Sequence, residues 1–256
     1  MIHPGLCSIS LSHISALEVI GLCQETGLTH IEWWGRDQGH VPPGDIITAQ
    51  SVGEATRDAG VTISTYGSYY CVGESEANSF DSVLNTAVAL GALRIRVWAG
   101  SKGSDVVTLD QRQVVIDDAL RIADQAAEFN IKIIFEHHQN TLTDSNKSTI
   151  ELAESTKHPF IDFSWQALTE MSIKDRVNGL QNLLPRLGTV HVYNWTRGKE
   201  EYFKRYPLSD AVDEWKTYFN MIKQTETDHV ALLEFVPDNS IKQFNIEAQT
   251  LQKLIN

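Results

Sequence analysis

The stretch IIFEHHQN, residues 133–140, sets a glutamate and two histidines directly against strand-forming apolar residues. A carboxylate following Ile-Ile-Phe has lost its water and needs a strong partner, because an isolated buried charge is very unfavourable. Two readings of Glu136 are open. It is either a structural carboxylate paired with a barrel arginine such as Arg96 in LRIRVW, or a group that binds a cation or moves a proton. Side chains alternate along a strand, so Glu136 and His138 share one side and His137 faces the other, packing under a helix. His191 in TVHVYNW and Glu234 in HVALLEF close similar apolar runs further on. If the three groups meet, a shared divalent ion is the simplest way to keep two carboxylates together without neutralising one. Alone, His191 reads equally as a hydrogen-bonded core histidine; the combination gives the ligand reading its weight.

Elements that would position these groups recur along the chain. Apolar runs rich in Ile, Val and Phe lie at 5–11, 29–34, 61–66, 93–98, 131–136, 160–165, 189–195 and 229–235. Between them are stretches with apolar residues at helical spacing, such as ISALEVIGLCQETG, FDSVLNTAVALGAL and VVIDDALRIADQAAEFN. Gly27, Gly60 and Gly91 stand where helices would end, and Ser12, Asp45, Asp110 and Asp144 are expected N-caps. Eight strand–helix units without a Gly-, Ser- or Pro-rich linker predict a single α/β domain over 1–256, a (β/α)₈ TIM barrel. No GxGxxG follows the first strand, which disfavours an open doubly wound sheet. In such a barrel chemistry sits at the C-terminal ends of the strands, where the polar residues of this chain gather. Cys7 is expected as a small buried residue at the start of the first strand.

Composition sets outer bounds. A formal net charge of −12 would repel a phosphate backbone, so nucleic acid is not an expected partner. No apolar run approaches the roughly 20 residues that cross a bilayer, so no membrane association is expected. Three widely spaced cysteines, Cys7, Cys23 and Cys71, suggest no disulfide framework and point to the cytoplasm.

The pattern of Glu136 in IIFEHH, Gln166 in FSWQAL, His191 in TVHVYNW and Glu234 in LLEFVP resembles the xylose isomerase-like barrels. That family includes sugar (phosphate) isomerases and epimerases, tagatose and psicose 3-epimerases, inosose dehydratases and endonuclease IV. The resemblance covers essentially the whole chain and implies a metal held by those four positions. It departs at the sixth strand, where the family places an aspartate and this chain has neutral Gln166; Asp162, four residues earlier, is the less favoured substitute. An O, O, N, O ligand set suits Mn²⁺, Mg²⁺ or Co²⁺, with Zn²⁺ a further candidate.

The resemblance further implies an isomerase or epimerase of a small keto-sugar, working through a metal-stabilised enediolate with Glu136 and Glu234 as the proton-transfer pair. A dehydratase of the polyol or inosose type and a sugar-binding barrel without turnover are the alternatives. The small-molecule substrate would be held by His138 and Arg96 on its hydroxyls or a phosphate, and by Trp34, Trp98 and Trp165 on its apolar face. His40, Tyr66, Asn194 and Arg197 are further expected contacts, with Lys102 and Arg197 beside Arg96 as phosphate candidates. The DNA-repair nuclease of the family would need more metal ligands and a basic groove than the sequence offers. Homodimers or homotetramers are common among such barrels.

Overall fold

The computed structural model describes residues 1–74, 79–197 and 203–256, and of Arg197 and Phe203 the backbone alone. The barrel strands begin with β1 (Ile2–Cys7), β2 (His30–Gly35), β3 (Thr62–Cys71) and β4 (Arg94–Trp98). They continue with β5 (Lys132–Glu136), β6 (Ile161–Gln166) and β7 (Leu187–Val192). A two-stranded antiparallel ribbon follows, β8 (Trp195–Arg197) with β9 (Phe203–Arg205), before the last barrel strand, β10 (His229–Leu233). β10 pairs with β7 on one side and β1 on the other, closing a parallel barrel of eight strands.

The helices α1 (Ala16–Thr26), α2 (Ile46–Asp58), α3 (Phe80–Leu90) and α4 (Leu109–Ala127) alternate with the first strands. α5 (Asn146–Ser155), α6 (Ile173–Leu183), α7 (Val212–Ile222) and α8 (Ile241–Ile255) complete the outer ring. Local chemistry explains their ends. Ser15 with Glu18 and Thr108 with Gln111 form capping boxes at α1 and α4, satisfying amides that the first helical turn leaves without partners. Gly27 and Gly91 end α1 and α3 in the left-handed region, which glycine enters without a Cβ clash.

Several expected boundaries shift. β1 starts earlier than residue 5 and stops at Cys7, after which Ser8–Leu11 winds into a 3-10 turn, so Cys7 lies at the C-terminal rim of the barrel. Asp45 caps α2 as expected, whereas the caps of α1, α4 and α5 are Ser15, Thr108 and Ser145 rather than Ser12, Asp110 and Asp144. In each case a hydroxyl in the extended position immediately before the helix takes the amide three residues on, and the expected residue nearby does not.

The main apolar core lies between barrel and helices. Phe135 packs on Phe163 with ring centres 5.7 Å apart, and Trp165 packs on Trp215 and Tyr218 of α7 at 6.3 and 4.8 Å. A small separate cluster of Cys7, Val230 and Leu232 packs apart from it. Near the start of β5, Lys132 pairs with Asp162 at 2.7 Å, so Asp162 is committed there and does not stand in for a ligand at the opposite end. Among the described residues no helix is long and apolar enough to cross a membrane.

Candidate functional site

Five charged groups converge at the C-terminal end of the barrel: Glu32 from β2, Arg96 from β4, Glu136 from β5, His191 from β7, and Glu234 one residue beyond β10. None is more than 6% exposed. Their backbones are held by the ladder, which sets Gln166 against His191 and His191 against Leu232 and continues with Glu234 N–H donating to Val192 O at 3.0 Å.

Arg96 is the hub. Its Nη1 donates to Glu136 Oε2 at 2.5 Å, its Nε lies 3.5 Å from Glu32 Oε1, and Nη2 donates to Ser68 O at 3.3 Å. Trp98 Nε1 donates to the same Glu136 Oε2 at 2.5 Å. The ion pair that the sequence left open for Glu136 therefore exists, and it occupies one oxygen only. The other, Oε1, faces His191 Nδ1 at 3.4 Å, and Glu234 Oε2 faces the same nitrogen at 3.5 Å. One ligand atom each of Glu136, His191 and Glu234 lies within 4.8 Å of the other two.

Three carboxylates share this space with one guanidinium. Burial pushes the Glu136 carboxyl up, but Arg96, helped by His191, holds it well below the usual carboxylate range. Burial pushes His191 down, yet the Cys7 thiol, Glu234 and Glu32 drive it well above the ordinary imidazole range. Without a metal, the ring must carry the missing positive charge itself. Both of its nitrogens, Glu234 Oε2, Glu32 Oε2 and Gln166 Oε1 are buried without a hydrogen-bond partner among the described residues. Each such orphan is unfavourable by about 1–3 kcal/mol, and a divalent cation before Nδ1 would satisfy several at once while displacing a proton. Glu136, His191 and Glu234 thus fit a metal. Gln166 stands beside them with its Nε2 donating to His137 O at 2.6 Å, which leaves Oε1 as its remaining donor atom.

A cavity of about 270 Å³ opens over this cluster, walled by Tyr69, Trp98, His138, Tyr193, Trp195 and Phe235. His138 stacks on Trp98 with ring centres 4.8 Å apart. Its Nδ1 lies 2.7 Å from Gln139 O, and a carbonyl only accepts, so Nδ1 carries the proton and Nε2 the lone pair. Thr143 accepts from His138 N–H at 3.2 Å and donates to Glu136 O at 2.5 Å, fastening the turn that carries the ring. Arg205, on β9, reaches the same cavity. It donates to Asn239 Oδ1 at 2.6 Å and lies 4.6 Å from the Phe235 ring centre; among the described residues no salt bridge engages it, although the Glu234 charge partly offsets the burial that pushes its guanidinium down.

Of the expected substrate contacts, Trp98, His138 and Arg96 border this cavity, but Arg96 is consumed by Glu136 and Glu32 and is not free for a phosphate. The remaining ones whose side chains are described are set apart from it. Trp165 is fully buried against α7. Tyr66 donates to Val41 O at 3.1 Å, His40 bridges Ser8 Oγ and Ile14 O, and Asn194 donates to Pro207 O at 2.8 Å. Trp34 and Lys102 border two other surface cavities. The side chain of Arg197 lies outside the described residues. His137 is buried, as expected of the opposite face, with Nδ1 3.1 Å from Gln166 O.

Sequence reasoning missed Glu32 and Arg205. THIEWWG carries a lone carboxylate amid apolar residues, as IIFEHH does, though within its strand rather than at its end; Arg205 sits on a ribbon that no periodicity announces.

Comparison with known proteins agrees with this architecture. The profile of the family described as xylose isomerase-like TIM barrel matches residues 20–254. A 3-dehydroshikimate dehydratase of Bacillus anthracis is 25% identical over 273 residues, 96% of this chain and 95% of that protein. The crystal structure of a probable 3-DHS dehydratase from Bacillus anthracis superposes with a TM-score of 0.79 at 22% identity, covering 98% of this chain and 99% of that one. A D-allulose 3-epimerase from Methylomonas sp. superposes at 0.72 with 12% identity, over 99% and 98% of the two chains.

Proposed function

Since this chain belongs to the xylose isomerase-like TIM barrel family, we propose that it is a metal-dependent dehydratase that removes water from a small, carboxylated cyclic hydroxyketone of the 3-dehydroshikimate kind. Glu136, His191 and Glu234 would hold the divalent ion, with Gln166 Oε1 beside them. Such an ion supplies Lewis acidity to a carbonyl oxygen, making the neighbouring carbon more acidic.

The observation that carries the reading is the contrast between Glu136 and His138. Glu136 is pinned by Arg96 and Trp98 on one oxygen and held well below the usual carboxylate range, which makes it a poor base. His138 borders the cavity with Nδ1 tied to a carbonyl and Nε2 bearing the lone pair, the arrangement of an imidazole base. One base suffices for elimination. His138 Nε2 takes the proton from the carbon beside the carbonyl, the electron pair forms the new double bond, and the β-hydroxyl departs. The proton on the imidazolium joins that hydroxyl, which leaves as water and returns His138 to its starting state. Arg205, which among the described residues forms no salt bridge although the Glu234 charge acts on it, offers a seat for the substrate's own carboxylate. Trp98, Tyr69 and Phe235 give a flat ring apolar walls and keep bulk water from the reacting carbon.

The second reading is the epimerase. That Glu136 and Glu234 both approach His191 Nδ1 favours it, since two carboxylates at one site could serve the two faces of a substrate. Incubation with Mn²⁺ and 3-dehydroshikimate, monitored by the ultraviolet absorbance of an aromatic product, separates the two. Appearance of that product is expected. Its absence, together with deuterium uptake from D₂O at the carbon beside the carbonyl of a ketose, overturns the dehydratase in favour of the epimerase.

A further inference from the structure

We infer that Glu32 is a positioning residue for the metal centre: it takes the Nε2 proton of His191 and so turns Nδ1, bearing its lone pair, toward Glu136 and Glu234. The consequence for metal binding rests on the metal-dependent reading above; the geometry does not.

His191 divides the cluster in two. Nδ1 faces Glu136 and Glu234, while Nε2 faces Glu32 Oε2 at 3.5 Å. Neither Nε2 nor Glu32 Oε2 has a hydrogen-bond partner among the described residues; Cys7 also acts on the ring, but its thiol, pushed up by burial, is a weak acceptor beside a carboxylate. A neutral imidazole protonated at Nε2 is the tautomer that ligates through Nδ1, and the group accepting that proton fixes ring orientation and basicity.

The barrel reserves space for this carboxylate. Gly67, on the neighbouring β3, has no side chain, and a Cβ built there would lie 2.7 Å from Glu32 Oε1 and 3.2 Å from its Cδ and Cγ. Gly67 is in the ordinary negative-φ region, so its lack of a side chain serves room rather than backbone conformation. Arg96 Nε, 3.5 Å from Oε1, supplies the charge that keeps a buried glutamate in place.

Cys7, Glu32 and His191 also offer one atom each within 4.8 Å, the spacing of a second cation site. One observation favours the proton over a cation there: Arg96 already brings a positive charge to Glu32.

The test is Zn²⁺ titration calorimetry on the full chain with Glu32→Gln, Gly67→Ala and the double variant, with folding checked by circular dichroism. Glu32→Gln removes the charge; Gly67→Ala displaces the carboxylate without altering any charge. Each is expected to weaken Zn²⁺ about 10- to 100-fold, and the double variant no more than the worse single one, since both act through one contact. In the ¹⁵N-histidine spectrum of the Zn²⁺-loaded protein, the His191 Nε2 proton should be shifted downfield and should move upfield in both variants, which a general packing defect would not produce. Single variants within about twofold of wild type, losses that add, or a second Zn²⁺ abolished by Cys7→Ser each overturn the role of Glu32. A wild-type chain that binds no Zn²⁺ overturns the metal-dependent reading and this consequence with it. If Glu32→Gln does not fold, Gly67→Ala decides alone.

Discussion

Replacing Arg96 by methionine tests whether the guanidinium is the counter-charge of the cluster. Arg96, Glu32 and Glu136 are each at most 5% exposed, so the substitution leaves two carboxylates in a low-dielectric space with their shared cation gone. Glu136 keeps its bond from Trp98, whereas Glu32 loses the one cation that, among the described residues, lies within salt-bridge reach besides the His191 ring. Removing one partner from a buried ion pair destabilises by about 3–5 kcal/mol. For a chain of this length each kcal/mol moves the midpoint by about 2–4 °C, so thermal unfolding in chelator should drop by roughly 6–20 °C at neutral pH. The pH dependence carries a sign. In the wild type Glu136 titrates below its unfolded value, so its contribution is present above the ordinary carboxylate range and lost as pH falls through the folded value. In Arg96→Met the largest cause opposing burial is gone, with only the histidines and the Trp98 bond left against it, so the folded carboxyl rises from its wild-type position. The folded variant then binds its proton more readily, and its deficit relative to wild type shrinks as pH falls. Saturating Zn²⁺ should also restore part of the loss, about 2.7 kcal/mol at a hundredfold excess over Kd. A variant that melts within about 2 °C of wild type in chelator, with no pH dependence of the difference, would refute the hub role of Arg96.

Other expectations are more local. His138→Asn should lower kcat about 10²- to 10⁴-fold while leaving Zn²⁺ affinity unchanged, as read by steady-state kinetics beside calorimetry. Arg205→Met should raise KM for a carboxylated substrate about 10- to 100-fold and leave kcat nearly untouched; an unchanged KM would remove Arg205 from substrate recognition. Burial, with His3 and Arg94 nearby, pushes His30 down to about 4, so the unfolded chain takes up that proton first. Stability from His30 is full above its unfolded value of about 6.5 and is lost as pH falls toward 4; urea midpoints across that window should fall less steeply in His30→Asn.

The barrel was legible because it rests on short-range rules. Buried parallel strands need continuous apolar runs, and helices on their outer side need an apolar face, so strand and helix follow from residue spacing alone. The meeting of Glu136, His191 and Glu234 was legible for a related reason: each is a polar residue closing an apolar run, and the fold brings such closing residues to one rim. Glu32 escaped because it lies within its strand, and its room is provided by an absent side chain at Gly67. Arg96 was read as available to substrate, since sequence does not show that two buried carboxylates compete for one guanidinium. Trp165 lies near a strand end and Asn194 just past one, as expected, while Tyr66 falls within β3 and His40 in a loop; the side chains of all four turn toward helices or other parts of the chain. One residue of strand register decides that, and composition does not record it.

The β8–β9 ribbon stands outside the hydrogen-bond ladder of the barrel, yet it carries Arg205 into the cavity. On the proposed reading, the part that would hold the cation and the part that would receive the ligand are borne on different pieces of chain. Grafting a ribbon of another sequence between Asn194 and Tyr206 would re-aim the enzyme toward uncharged or differently charged compounds while its acidic rim stayed as it is, a natural starting point for laboratory evolution of selectivity.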